Sequence, residues 1–489
     1  MVARLFHRLL ALIFLDAWLS LGVQIHALIG RRGLLPIAAF LDRARAANAL
    51  DFRHFPTLLW WNSSDGALTL GVALGVILSL LALLGLAPRV ASAANAFLYL
   101  SFAVAGRTFF SFQWDNLLIE CGALSLLLPR HHRSRAAHLL FRLVLFKLYW
   151  ESGLAKWQSP THDWRLGTAM IPYYETAPLP TAGAFIAYQL PAFWHAAESW
   201  FTLVFELIVP FFIFGPRPLR RAAFVVLTLF QVVNALTANY GFFCHLAIAL
   251  HVFLLRDSDL EWLWSRLRAI AHRPAHADAT YKVDPVVAIA GSALARARRI
   301  GSLLTAGLVL PAFVFISVSD ALGQFADWPA WSDRAAPLQE IYEPFRLINT
   351  YHLFGSITTE RIEPEFQTYD GKDWIAHDFK HKPGSPARRP DYVAPHQPRL
   401  DFQLWFYGLS FQRGTPEYVK TLVQRMCEEP QAVASLFRGP LPDKPKAVRI
   451  AFWQYHFTTL AEHSHSGDWW KRELLGTTRE LRCSEVPRE

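Results

Sequence analysis

Long apolar runs alternate with short polar segments along the chain, and this pattern stops near residue 320. A helix needs about 20 mostly apolar residues to cross the hydrocarbon core of a bilayer. Runs near that length lie at 9–29, 67–86, 96–110, 114–128, 139–157, 198–214, 222–236, 242–255 and 303–318. Several of them are short or contain charges, so the pattern predicts seven to nine membrane spans within 1–319, with a non-cytoplasmic loop at 158–197.

The last part of the chain, 320–489, has the pattern of a small water-exposed domain. Asp370 and Gly371 form a hairpin turn signal between two strand-like runs. The run 446–460 is rich in β-branched and aromatic residues and predicts another strand, whereas 415–437 predicts a helix with Pro416 near its first turn. We therefore predict a polytopic α-helical membrane bundle followed by a mainly β (α+β) domain.

Composition and charge fit this division. Hydrophobic residues make up 53% of the 489 residues, and the mean hydropathy is +0.20, which is high for a soluble protein. The net charge of +9 comes largely from arginines in loops. A basic stripe with interleaved aromatic residues is not found on the water-exposed segments, so we do not expect nucleic-acid binding.

The arginine-rich loops also predict the orientation, because short cytoplasmic loops carry an excess of Lys and Arg. In a nine-span arrangement the start of the chain and the basic segments at 129–135, 215–221 and 256–299 share one side. We expect that side to be the cytoplasm. Loop 158–197 and the C-terminal domain then face the periplasm, or the lumen of the endoplasmic reticulum. The arginines of 30–66 disagree, and we expect amphipathic helical stretches on the membrane surface there.

Processing and cysteine patterns add two expectations. The first apolar run is too long for the core of a signal peptide, so we expect a retained signal anchor. Cys427 and Cys483 share the C-terminal domain and could form one disulfide, while Cys121 and Cys244 lie in apolar runs. With no CxxC or Cys/His cluster, no metal or cofactor is predicted.

Several polar residues fall inside or beside the predicted spans, where an ionised group needs a partner. These intramembrane polar candidates are Arg107, Asp115, Asn116, Glu120, Lys147 and Glu206. Lys147 is four residues from Glu151, which favours a pair within the bundle. The alternative places Arg107 and Asp115 in a hydrated turn at the membrane boundary.

Lys156 ends a predicted span and admits two interpretations. Its ammonium could extend to the water interface, or it could lie in an apolar pocket and act as a base together with Glu151. Motifs of hydrolases and nucleotide-binding proteins, G-x-S-x-G, the P-loop and G-x-G-x-x-G, are not found. The residues alone therefore name no catalytic group.

The segment "RRPDYVAPHQPRLDFQLWF" (388–406) combines prolines, arginines and aromatic residues. The prolines favour an extended backbone, the arginines present fixed charge, and the aromatic residues supply a packing face. One interpretation is a surface that binds another protein. The alternative is that the arginines pair with carboxylates of the same domain, such as Asp401.

Longer strings carry a family resemblance. They are "FFSFQWDNLLIECG" (109–122), "DWRLGTAMIPYYETAPLP" (163–180), "YQLPAFWHAAESWFTLVFELIVPFF" (188–212), "INTYHLFGSITTER" (348–361) and "DGKDWIAHDFKHKPGSPARRPDYVAPHQPRLDFQLWF" (370–406). With these strings the chain resembles the lipase maturation factors, polytopic proteins of the endoplasmic reticulum with bacterial relatives. The resemblance implies a chaperone-like protein that assists folding and assembly of secreted lipases, or of other exported client proteins, through its C-terminal domain. It points to Arg388, Arg389, Pro395, His396, Arg399, Asp401 and Trp405 as client-contacting residues.

A shorter string, "YWESGLAKWQ" (149–158), is similar to a span of vitamin K-dependent gamma-carboxylase. The matched position is Lys156. This second resemblance implies an alternative function, a membrane enzyme with a quinone or lipid pocket at Lys156.

Overall fold

A computed structural model describes residues 1–129, 134–270, 300–326 and 329–485. In these ranges the α-helices are α1 Val2–Gly22, α2 Ile25–Ile29, α3 Ile37–Ala46, α4 Asp65–Leu83, α5 Pro88–Ala105, α6 Gln113–Ser125, α7 Arg135–Trp157, α8 Met170–Thr176, α9 Ala182–Tyr188, α10 Ala192–Leu207, α11 Arg217–Thr237, α12 Phe243–His251, α13 Asp257–Ile270, α14 Ile300–Phe325, α15 Pro329–Tyr342, α16 Arg399–Leu409, α17 Glu417–Glu428, α18 Pro430–Val433 and α19 Leu460–Ser466. The strands there are β1 Ile362–Tyr369, β2 Trp374–His377, β3 Ala447–Phe457, β4 Trp470–Thr477 and β5 Leu481–Arg482.

Five helices of the described chain are long and apolar enough to cross a membrane: α1, α4, α10 with the 3₁₀ turn that extends it to Phe214, α11 and α14. The chain is thus a multi-pass membrane protein. α1 begins at Val2, seven residues before the run predicted from the sequence. Arg4 and Arg8 therefore lie in the first turns of the helix. A membrane helix can contain arginines there, because a long charged side chain near the helix end extends to the interface.

The helices run between two ends of the bundle. At the amino-terminal end, the amino group of Met1 donates to Asp257 Oδ1 at 2.8 Å. At the other end, called the distal end below, Gln158 Nε2 donates to Phe325 O at 2.7 Å, and the backbone beyond α11 meets the C-terminal region. α1 leads from one end to the other, since Ser20 near its end accepts from the Gln397 amide. α11 does the same, because Arg217 at its start pairs with Asp259 and Leu236 O near its end accepts from Tyr392 Oη at 2.9 Å.

α7 lies in the middle of this bundle and packs on α10, α12 and α14. It is 23 residues long but contains several charged residues, of which Lys147, Glu151 and Lys156 are buried. An all-round apolar surface marks a helix that faces lipid, so the charges of α7 agree with its position behind other helices. At its amino-terminal half the ring of Phe141 stacks on Phe253 with centroids 4.5 Å apart.

The C-terminal sheet is antiparallel, with the strand order β2-β1-β3-β4 and β5 beside β3. Asp370 forms the predicted hairpin turn between β1 and β2, because its Oδ1 accepts from the amides of Lys372 at 2.7 Å and Asp373 at 2.8 Å. Gly371 there has φ +110°, a value that favours glycine. The predicted helix at 415–437 and the strand at 446–460 are also present, as α17 and β3.

The C-terminal region is packed tightly against the bundle. One continuous hydrophobic core contains Phe14 and Phe110 of the bundle together with Tyr351, Phe402 and Val448 of the C-terminal region. α14 extends to Phe325, so the predicted division of the chain after residue 319 falls inside a helix.

Cys427 of α17 and Cys483 beyond β5 form a disulfide across 56 residues of sequence. A cross-link restricts the unfolded chain, and for a loop of this length the chain-entropy model gives about 4 kcal/mol. We therefore expect Cys427→Ser to lower the free energy of unfolding by about that amount. Thermal unfolding of purified protein with and without reductant is the measurement. Reductant should destabilise the wild type and leave Cys427→Ser unchanged; equal behaviour of the two proteins would contradict the expectation.

Candidate functional site

A buried arginine joins the C-terminal region to the distal end of the bundle. Arg399, the first residue of α16, is 1% exposed. Its Nη1 donates to Asp115 Oδ2 at 2.9 Å and its Nη2 to Asp115 Oδ1 at 2.8 Å, the bidentate geometry of strong Arg–carboxylate pairs. Tyr99 Oη donates to the same carboxylate at 2.6 Å, and the guanidinium lies over the Phe110 ring at 3.6 Å. Each of the two buried charges is compensated only while the other one is present.

The end of α1 binds the backbone that leads into α16. Gln24 Nε2 donates to Gln397 O at 2.8 Å, and Gln24 Oε1 accepts from the Arg399 amide at 3.0 Å. Ser20 Oγ accepts from the Gln397 amide at 2.9 Å. The first amides of a helix have no acceptor within the helix, so Gln24, two residues beyond the end of α1, supplies an acceptor for the start of α16.

Two buried carboxylates of the bundle receive hydrogen bonds from the segment that follows α15. Glu120 Oε2 accepts from Tyr351 Oη at 2.6 Å and from Asn349 Nδ2 at 2.9 Å. Glu151 Oε2 accepts from the Tyr351 amide at 2.8 Å. Tyr351 itself is fully buried. The C-terminal region therefore supplies polar partners to carboxylates on α6 and α7.

Lys156 lies in the interior and does not extend to the interface. Its side chain is 3% exposed, its Nζ is 2.7 Å from Glu206 Oε2, and it donates to Leu353 O at 2.8 Å. The interpretation in which it reaches water is therefore wrong. Burial is tolerated because Glu206 balances the charge and Leu353 accepts a hydrogen bond.

A second buried charge cluster lies within the C-terminal region itself. Glu363 of β1 is 2.6 Å from Arg361 Nη2 and 2.7 Å from Lys382 Nζ, and all three side chains are buried. Arg361 also donates to Glu175 O at 2.9 Å, so it connects the sheet to loop 158–197. Burial lowers the pKa of Lys382 despite the nearby Glu363 carboxylate. The Glu363 carboxylate thus forms ion pairs with two cations.

Two family models match this chain. The model described as lipase maturation factor transmembrane domain matches residues 1–262, and the model described as lipase maturation factor C-terminal domain matches 347–479. The chain belongs to the lipase maturation factor family.

Individual proteins similar to this chain belong to the same family. Lipase maturation factor 1 of Bos taurus is 30% identical over 96% of this chain and 86% of its own length. Lipase maturation factor 2 of Gallus gallus is 29% identical over 95% of this chain and 79% of its own length. Lipase maturation factor 1 of Homo sapiens is 28% identical over 96% of this chain and 85% of its own length. No solved structure matches the chain.

The residues that the family resemblance assigned to client contact fall into three groups. Arg389 and Pro395 are exposed, and Arg388, His396 and Trp405 are half-buried. Arg399 and Asp401 are buried. The expectation that the arginines of this segment pair with carboxylates of the same domain holds for Arg388, which pairs with Asp391. It fails for Arg399, whose guanidinium binds Asp115 of the bundle. The carboxylate of Asp401 accepts from the His381 amide at 2.8 Å.

The half-buried members of this segment also have partners inside the protein. Arg388 Nη1 donates to Phe379 O at 2.9 Å, and its Nη2 is 3.1 Å from Asp391 Oδ2. Trp405 Nε1 donates to Thr176 O at 2.8 Å, which connects α16 to loop 158–197. In this protein the arginine-rich segment therefore holds the C-terminal region in place as well as presenting exposed side chains.

The predicted intramembrane polar residues differ in how exposed their side chains are. Asp115 and Glu120 are buried, so the hydrated turn is wrong for Asp115. Arg107 is partly exposed and lies over the Phe40 ring at 4.4 Å. Lys147 Nζ donates to Ser317 Oγ at 2.9 Å, and within the described residues no ion pair joins it to Glu151.

Asn116, the remaining member of that set, accepts from Arg346 Nη1 at 3.1 Å. Sequence reasoning missed Tyr99, Gln24 and Arg361. Gln24 carried a signal that could have been used, because it is a polar residue inside an apolar run and therefore needs a partner. Arg361 lies directly before β1, outside the apolar runs, and carried no such signal.

His381 and His396 form a pair of half-buried rings with centroids 5.7 Å apart. Burial lowers the pKa of each to about 4, below the value of about 6.5 for exposed histidine. As the pH falls from 6.5 towards 4 the unfolded chain binds these protons and the folded protein does not, so this pair lowers the free energy of unfolding. Asp401 acts in the opposite direction, because burial raises its pKa to about 6.

We expect a His381→Gln/His396→Gln variant to lose less stability than the wild type between neutral pH and pH about 4.5, since the two groups that resist protonation are gone. Thermal unfolding at a series of pH values measures this. Asp401→Asn should shift the dependence the other way, because it removes the group that favours the folded state at low pH. A double histidine variant with the same acid sensitivity as the wild type would contradict the assignment.

Proposed function

We propose that this protein is a membrane-anchored maturation factor that assists the folding and assembly of secreted lipases or other exported proteins. The observation that carries the proposal is that models of both parts of the family, the transmembrane domain and the C-terminal domain, match one chain. The relatives are named for lipase maturation. The carboxylase-like alternative receives no support from these matches, and it is not proposed further.

The orientation that fits this function has the N-terminus in the cytoplasm and the C-terminal region in the periplasm or the lumen of the endoplasmic reticulum. In support of this orientation, Met1 and the C-terminal region contact opposite ends of the bundle. The disulfide between Cys427 and Cys483 supports an oxidising compartment for the distal end. The basic segments around Arg217 and Arg256 then lie in the cytoplasm.

The client surface in this proposal is the exposed side of the segment 385–396. Arg389, Tyr392 and Pro395 are exposed there. Asn239 of the bundle fixes the backbone behind them: its Nδ2 donates to Asp391 O at 2.8 Å, and its Oδ1 accepts from the Val393 amide at 2.7 Å. A surface held in one conformation loses less conformational entropy when it binds a partner.

Site-specific crosslinking in the full-length protein tests this surface. A photoreactive phenylalanine analogue replaces Arg389 or Tyr392, and the variant is co-expressed with a secreted lipase. We expect covalent adducts with newly made lipase at both positions. The matched control is the same analogue at Trp61, which is exposed and lies outside the segment 385–396.

Two outcomes separate the parts of the proposal. Adducts at position 61 but not at 389 or 392 would contradict the surface while leaving the function standing. Unchanged activity and assembly of secreted lipases after deletion of the gene, together with absence of adducts at every position, would contradict the function itself.

A further inference from the structure

A cavity of about 320 Å³ lies in the wall of the bundle between α7, α10 and α11. Its inner part is lined by apolar side chains, among them Leu148, Phe205, Val226 and Phe230. This volume lies in the range of ordinary small-molecule sites. Asp115 and Glu120, which bind the C-terminal region, do not line this cavity.

The cavity opens sideways. Phe201 of α10 and Leu229 and Val233 of α11 line it, yet they are 56%, 59% and 51% exposed. Both helices are among those long and apolar enough to cross a membrane. Side chains exposed on such helices face acyl chains, so the opening leads into the bilayer and a ligand can enter from the lipid.

The lining changes from apolar to polar towards the distal end. Along α11, which runs towards that end, Val226 and Phe230 precede Asn234 and Thr237. Eleven residues of helix from Val226 to Thr237 span about 16 Å. Along α7 the cavity passes in the same direction from Leu148 to Lys156. An elongated ligand with one apolar end and one polar end matches this gradient.

The charges at the polar end do not favour an anion. Lys156 is balanced by Glu206 at 2.7 Å and also donates to Leu353 O. Glu198, which lines the cavity as well, adds a second carboxylate. A ligand with a carboxylate or phosphate end would meet these acidic groups without a free cation.

Gln231 places a buried hydrogen-bond acceptor without a donor at the cavity. It lines the cavity and is 2% exposed. Its Nε2 donates to Tyr149 Oη at 2.9 Å, but its Oε1 has no hydrogen-bond partner in the described part of the chain. A buried acceptor without a donor is costly, and a hydroxyl group can both donate and accept.

We propose that this cavity binds a single-chain lipid whose polar end carries a hydroxyl group, such as a long-chain alcohol or a monoacylglycerol. The apolar chain occupies the space between Leu148 and Val226, and the hydroxyl donates to Gln231 Oε1. The site does not depend on a client protein, so it stands or falls separately from the maturation function.

Photolabelling of the full-length protein in phosphatidylcholine nanodiscs tests the proposal. The probe is hexadecanol carrying a diazirine in its chain. We expect labelled peptides from 198–206 and 226–234, and competition by unlabelled hexadecanol but not by hexadecanoate. Equal competition by hexadecanoate would overturn the assignment of the polar end. Equal labelling of the same peptides by a diazirine phosphatidylcholine would overturn the restriction to single-chain lipids.

Two variants locate the binding. Leu229→Trp places a larger ring at the opening and should lower labelling about tenfold, because it excludes a few methylene groups of the chain. Its matched control is Val232→Trp on the same helix, a residue that is exposed but does not line the cavity. Gln231→Leu should reduce the advantage of hexadecanol over hexadecane as a competitor. Identical labelling of the Leu229→Trp and Val232→Trp proteins would overturn the proposal.

Discussion

Replacement of Arg399 by Gln is expected to lower the free energy of unfolding by about 3–5 kcal/mol, because it leaves the Asp115 carboxylate buried without its cation. Asp115 is fully buried and accepts two hydrogen bonds from the guanidinium. Such a loss is a large part of the roughly 5–15 kcal/mol that stabilises a typical protein. Thermal unfolding of the detergent-solubilised protein measures the change.

The neighbouring Arg389 provides the matched control. It lies in the same segment but is exposed, with its guanidinium 5.9 Å from the Trp469 ring. Arg389→Gln should change the free energy of unfolding by no more than about 0.5 kcal/mol. Limited proteolysis adds a second measurement: in the Arg399→Gln protein we expect faster cleavage at Arg388, because the C-terminal region separates more often from the bundle. Equal stability of the two variants would contradict the role of the Asp115–Arg399 pair.

Replacement of Glu363 by Gln is expected to have an effect of similar size, about 3–5 kcal/mol, because two buried cations lose their shared carboxylate. Arg361 cannot release its proton, and it stays in place between Glu175 O and the sheet. Lys382 can release its proton more easily, since burial already lowers its pKa. The variant should therefore recover part of its stability at high pH, where Lys382 becomes neutral.

Lys382→Met is the informative comparison for this cluster. It keeps the ion pair between Arg361 and Glu363 at 2.6 Å and removes a buried ammonium group. Asp401 loses a nearby cation, but its pKa is already about 6, so protonation costs little near neutral pH. We expect a loss of no more than about 1–2 kcal/mol. A larger loss for Lys382→Met than for Glu363→Gln would contradict this view of the cluster.

The sequence predicts the fold class well because the signals that determine it are local. Apolar runs of about 20 residues identify spanning helices without knowledge of their neighbours. The hairpin at Asp370 was equally readable, since the turn is formed by one aspartate side chain and one glycine with positive φ. The predicted start of α1 is too late, because Arg4 and Arg8 interrupt the apolar pattern although the helix itself contains both arginines.

The partners of the polar residues could not be predicted, because they depend on contacts between distant parts of the chain. The sequence shows that Asp115 and Lys156 need partners. It does not show that Asp115 binds Arg399, 284 positions away. Lys156 illustrates the same limit, since its carboxylate comes from Glu206 of α10. Glu151, which the i,i+4 spacing pairs with Lys147, instead binds the Tyr351 amide.

The contact between α1 and the backbone before α16 has a consequence for synthesis of the protein. Gln24 is made early, but the carbonyl that it binds belongs to Gln397, 373 positions later. At translation rates of about 5–20 residues per second this interval lasts roughly 20–75 s. During that time the end of α1 has no native partner for Gln24 or Ser20. Ser20 of α1 and Gln24 thus gain these partners only after residue 397 has been made, and a chain that stops before that residue lacks both contacts.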